Sequence, residues 1–331
     1  MNEICVLLLA AILFPERPFA AGGNSLGAFP ASAQKVVKAY IPDPATDSVA
    51  VFNLTTHRVI KRIFLKAKAG DPRDDPRGVA MSPDGRYAYL TASLSATVLV
   101  IDTTKDTTIQ RIVLPLSEPG NIAIAPDGGT LYIPHYSAKA VTLLKVPENI
   151  TRVIQLEGFP GDAAVTRGGR AVLITSRDSN SLMALDPATG RVNSIPVGRN
   201  PVGIGVTPDG LEAYVSHDND RAVFVVDLAT DPFTVKGRID VGMAGGAAVA
   251  VTPDGRHVFV AHCCANSAVS VIATETKTVA CRLSLAPRGL DPVRILFTPD
   301  GSEAFVINSQ SRNISIIRSP CGTSKTENVF E

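Results

Sequence analysis

From residue 36 to residue 318 the chain is a succession of short apolar runs rich in β-branched residues, each closed by turn residues. Residues 48–52 alternate between smaller and larger side chains up to Phe52, and residues 97–101 form a compact apolar run ended by Asp102. Runs of this length and period predict strands, because successive side chains of a strand point to opposite faces. The second full unit shows the pattern best. Residues 78–82, 87–91, 97–101 and 109–114 read as four strands, the first two joined by Ser82-Pro83-Asp84-Gly85. In such a turn Pro presets φ, Asp hydrogen-bonds its own backbone, and Gly takes the positive φ.

That phrase recurs. Pro-Asp-Gly returns at Pro126, Pro208, Pro253 and Pro299, with a degraded copy at Arg167-Gly168-Gly169, and the steps from Pro83 are 43, 41, 41, 45 and 46 residues. An aromatic residue, or Leu173 in the degraded copy, leads the second strand after each of these six turns, and Tyr40 leads a seventh, giving copies at Tyr40, Tyr89, Tyr132, Leu173, Tyr214, Phe259 and Phe305. A period near 40 to 45 residues predicts an all-β fold, a seven-bladed β-propeller of four-stranded antiparallel blades. In the first strands small residues (Ala80, Ala123, Ala164, Gly205, Ala250) precede large ones (Met81, Ile124, Val165, Val206, Val251), with Leu296 and Phe297 in the last copy. This puts small residues on one face and large on the other, as crowded inner strands require. The first copy lacks an innermost strand and the last an outermost one. Residues 24–34 or the tail after Arg318 are expected to complete a blade.

Outside the repeat, residues 4–14 form an apolar run of eleven, too short for the roughly 20 residues a bilayer needs. With Ala20-Ala21-Gly22 behind it, the run reads as a secretory signal over residues 1–22, although Asn2 and Glu3 stand where basic residues are usual. Residues 23–35 then form a linker or vestigial strand, residues 36–318 the propeller and residues 319–331 a C-terminal tail. The mature chain would be periplasmic or secreted, without a transmembrane segment. Its formal charge of +1 argues against a nucleic-acid surface. With Cys5 removed, Cys263, Cys264, Cys281 and Cys321 remain, and four cysteines allow three pairings. A bridge from Cys263 or Cys264 to Cys281 or Cys321 is favoured. The alternative is a copper or zinc site at His262-Cys263-Cys264.

The segments 200–210 and 222–230, with Tyr214-Val215-Ser216-His217 between them, resemble the YVTN-type β-propeller repeat family over about residues 36–318. Its members look like surface-layer proteins, periplasmic binding propellers, and relatives of lactonases and of amine-dehydrogenase β-chains. The resemblance is specific for architecture and weak for activity.

Candidate chemistry lies at the ends of the second strands. Three residues after each aromatic stand Asp43, Ala92, His135, Ser176, His217, His262 and Asn308, so three of the five His share one repeat position. The family usually has Asn there. Entering the first strands on that side are Arg77, Asn121, Asp162, Asn200 and Arg294. Three readings stay open: a polar ligand site, a copper or zinc ion on His135, His217 and His262, or imidazoles that cap strand ends. The chain has no Gly-x-Ser-x-Gly elbow, phosphate loop or dinucleotide fingerprint. The expectation is an exported propeller that binds a small molecule or protein partner at this mouth without catalysis. The alternative is an enzyme there, a lactonase-like hydrolase or a metal-dependent oxidoreductase.

Overall fold

The computed structural model describes residues 37–65, 73–263, 267–318 and 320–321, and the backbone alone of the strands Ala11–Ile12 and Ser324–Glu327. Seven antiparallel sheets of four strands follow one another in chain order, each strand pairing with its sequence neighbour. The chain is therefore a seven-bladed β-propeller. The weak fourth copy forms a full blade. Arg167–Gly169 makes a short 3-10 turn with Gly168 at φ 78°, and Val172–Ser176 follows as the second strand with Leu173 fully buried.

The Pro-Asp-Gly turns form as their residues dictate. Gly85, Gly210 and Gly255 sit at φ 70°, 78° and 73°, a region that L side chains enter only with strain. The hydroxyl residue before the turn ties it down: Ser82 Oγ donates to Asp84 Oδ1 at 2.5 Å, Thr207 Oγ1 to Asp209 Oδ1 at 2.5 Å, and Thr252 Oγ1 to Asp254 Oδ1 at 2.6 Å.

Seven apolar clusters lie between neighbouring blades. One joins Ala80, Tyr89, Ile122 and Leu131 of blades two and three, another Leu173, Ile204, Ala213 and Val215 of blades four and five. Among the described residues no blade borrows a strand from the other end of the chain. The ring closes between blades seven and one by side-chain packing, with Phe52 edge-on to Phe305 at 5.8 Å and Val293, Ile307 and Ile314 around them. The Arg312 Nη2 to Asp43 Oδ2 pair at 3.0 Å and the His57 Nε2 to Glu303 Oε2 pair at 2.8 Å flank that seam.

The outermost strand of blade seven is Ser324–Glu327, from the tail after Arg318. The innermost strand of blade one is Ala11–Ile12, paired with Ala39 and Tyr40, inside the apolar run read above as an export signal. Residues 24–34, the other expected source of a strand, lie outside the described residues. Cys281 pairs with Cys321 at a Cα–Cα distance of 5.8 Å, not with Cys263 or Cys264 as expected. The outer strand of blade six runs beside the segment entering the last strand, and that proximity decides the pairing. Cys263 is buried beside its strand, and Cys264 lies outside the described residues. Among the described residues no helix is long and apolar enough to cross a membrane.

Candidate functional site in the central channel

The innermost strands carry an irregularity that sets the site. In blade four the pairing passes from Pro160–Ser176 to Ala163–Ile174, and in blade seven from Pro292–Asn308 to Arg294–Ile307. One extra residue is held on the inner strand each time, a β-bulge, which re-aims the side chains around it. The bulge takes the Asp162 N–H out of the ladder. Thr175 Oγ1 accepts it at 2.8 Å and donates to Val202 O of the next blade at 3.1 Å. Thr91 plays the same part for Gly78 N–H at 2.8 Å and Gly120 O at 2.6 Å.

Asn121, Asp162 and Arg294 stand at one register, each five residues before the turn proline or its equivalent. The fold brings these three together. Asn121 Nδ2 donates to Asp162 Oδ1, which also accepts Ala163 N–H at 3.0 Å. Asp162 Oδ2 accepts Ile204 N–H at 3.2 Å and lies 4.0 Å from Arg294 Nη1. Blades four and seven are three steps apart in a ring of seven, so Arg294 reaches across the channel to meet Asp162. Arg294 is 4% exposed, and among the described residues its Nε and Nη2 have no hydrogen-bond partner.

Burial dominates the electrostatics here. Desolvation pushes the Asp162 carboxyl above the ordinary range, against the opposing pull of Arg294 and two backbone N–H groups. Desolvation also lowers the Arg294 guanidinium, and Asp162 opposes it. A buried cation with two idle donors is costly. The site is suited to accepting an oxygen-rich group.

The other predicted residues lie elsewhere. Arg77 is held at the rim by Asp75, 2.6 Å from Nη2. Asn200 accepts from Arg177 Nε at 2.9 Å. Asp43 sits in the seam between Arg62 and Arg312. His135, His217 and His262 are buried to 1% exposure or less. They end their strands on the same face as Leu131 and Ile133, Ala213 and Val215, and Val258 and Val260, each pair packed against the preceding blade.

Four of these strand ends, His135, His217, His262 and Asn308, reach the third strand of their own blade. His135 Nε2 meets Thr142 Oγ1 at 2.9 Å, His262 Nε2 meets Ser270 Oγ at 2.9 Å, and Asn308 Nδ2 donates to Ser315 Oγ at 3.0 Å. His217 packs its ring against Phe224 at 4.9 Å between centroids. Among the described residues no three His, Cys, Asp or Glu side chains gather as a metal site would require. The signal that separates Asn121, Asp162 and Arg294 from Arg77 and Asn200 is their register against the turn proline. A surface feature the sequence reading missed is Tyr136 stacked on Phe159 at 4.8 Å, with Lys139 Nζ 4.1 Å from the Phe159 ring.

A family profile described as a lactonase, seven-bladed beta-propeller, matches residues 35–207. No curated protein matches the chain. Among solved structures the chain is similar to hydrazine synthase of Kuenenia stuttgartiensis, with 18% identity, 77% of this chain and 80% of that one covered, and a TM-score of 0.67. It is also similar to a functionally unknown protein from Desulfotomaculum acetoxidans, with 16% identity, 88% and 99% covered, and a TM-score of 0.73. Both likenesses are of fold alone.

Proposed function

The chain belongs to the seven-bladed β-propeller lactonase family, and from that premise we propose that it is an exported binding propeller whose central channel takes a small, oxygen-rich ligand. The observation that carries this reading is Arg294, buried across the channel with Nε and Nη2 idle. Asp162, itself held by Asn121, faces the guanidinium. The Cys281–Cys321 disulfide supports export, because such bonds persist in oxidising compartments. Binding is favoured over base catalysis by the state of Asp162: three N–H donors already occupy its oxygens, so it is an anchor more than a free base.

Thermal melting of the chain against a panel of small hydroxy acids, lactones and amides tests this. A ligand that raises the melting temperature of the wild type and not of Asn121→Ala is expected. If every stabilising compound acts equally on the variant, the channel is not the site.

A second reading, hydrolysis of a lactone in the same channel, draws on the family and on the raised Asp162 carboxyl. The idle Arg294 donors would then polarise the acyl oxygen. Lactone turnover that disappears in Asp162→Asn would decide for it.

A further inference from the structure

The two idle nitrogens of Arg294 are not scattered around its head. Nε and Nη2 share one edge of the planar guanidinium, so their N–H bonds run parallel and form the side-on fork that matches the two oxygens of a carboxylate. Nη1, on the other side, faces Asp162 at 4.0 Å. Asp162 cannot fill the fork, because its oxygens are turned to Asn121, Ala163 N–H and Ile204 N–H. A single hydroxyl or carbonyl oxygen would leave one of the two donors unpaired in a dry site.

We propose that the group recognised in the channel is a carboxylate, seated side-on against Nε and Nη2 of Arg294. This rests on the reading of the channel as a ligand site and names the ligand's chemistry. Charge balance adds a condition. Arg294 and Asp162 together are neutral, and a carboxylate would leave an excess negative charge where solvent cannot screen it. Asp162 relieves this by taking up a proton as the ligand enters. Its carboxyl is already raised by desolvation, and the one charge that acts on it is Arg294. Arg294 in turn feels only Asp162. Binding is therefore coupled to proton uptake.

The test is titration calorimetry of the full chain with two matched pairs: acetate against acetamide, and 4-hydroxybutyrate against γ-butyrolactone. The carboxylate of each pair should bind at least about tenfold more tightly than its neutral partner. Affinity should rise as the pH is lowered from about 8 to about 6, where carboxylate ligands remain ionised. Arg294→Lys, which keeps the charge and removes the fork, should weaken the carboxylates on the order of 10- to 100-fold. Asp162→Asn, a neutral stand-in for the protonated acid, should bind carboxylates with no pH dependence, and it serves if the lysine variant does not fold.

Neutral compounds that bind through Arg294 while carboxylates do not would overturn the carboxylate and leave the ligand site standing. Equal carboxylate affinity in Arg294→Lys would overturn the side-on geometry. No binding by any of the four compounds would overturn both.

Discussion

Cys281, on the outermost strand of blade six, is bonded to Cys321, in the segment leading into the outermost strand of blade seven. The bond closes a loop with a sequence separation of 40 residues around the whole of the last blade's inner part. A cross-link of that span restricts the unfolded chain by roughly 4 kcal/mol on a chain-entropy estimate. Cys281→Ser is expected to lower the denaturation midpoint of the oxidised protein. Reductant should lower the wild type to the same level and leave the variant unchanged. A midpoint insensitive to both would show that the last blade is held by packing alone.

Burial of the strand-end histidines predicts an acid-sensitive fold. His217 and His262 are both pushed down by desolvation to about 4, against about 6.5 in an unfolded chain. Between those values the unfolded state holds more protons, so stability is full above about pH 6.5 and declines as pH falls toward 4. Each ring accounts for about 3 kcal/mol of that loss. Asn308 performs the same strand-end contact in blade seven without titrating. His262→Asn should therefore keep the fold and flatten the decline. Denaturation curves at pH 7 and pH 4.5 for wild type and variant measure it, and an unchanged slope would sink the assignment.

The pair across the channel is predicted to be asymmetric to mutation. Asp162→Ala removes the acceptor of three N–H donors and leaves Arg294 as a buried uncompensated charge. A loss of about 3 to 5 kcal/mol is expected. The double change Asp162→Ala with Arg294→Met removes both charges and should recover a substantial part of the loss. A double-mutant cycle by chemical denaturation reads the coupling. A double variant no better than Asp162→Ala would mean that the backbone donors, not the charge, dominate.

The closing seam depends on Phe305. It is fully buried and meets Phe52 at 5.8 Å and His57 at 5.6 Å between ring centroids. Among the described residues no strand is exchanged across the seam, so apolar packing there does what an exchanged strand would otherwise do. Phe305→Ala is expected to cost about 3 to 5 kcal/mol. Limited proteolysis should then cut first in blades one and seven. Cleavage spread evenly over the ring would contradict this picture of closure.

The blade count, the strand order and the turn geometry were legible in the chain because they are local. A strand's period of two and a turn's demand for Pro, Asp and Gly are written within a few residues, and the spacing of the turn prolines repeats them. The seven aromatic or leucine positions alone gave the seven blades. The closure of the ring, the Cys281–Cys321 pairing and the strand drawn from Ser324–Glu327 were decided by the tertiary structure. They depend on which distant segments the circular arrangement makes adjacent. The site divides in the same way. The residue types were visible, with His135, His217 and His262 the most conspicuous, yet a shared repeat position fixes only height along the blade. Which face a strand-end side chain takes, and what packs over it, is set by the neighbouring blade. That placed the imidazoles between sheets. The inner-strand bulges and the ring of seven instead carried Arg294 across the channel to Asp162.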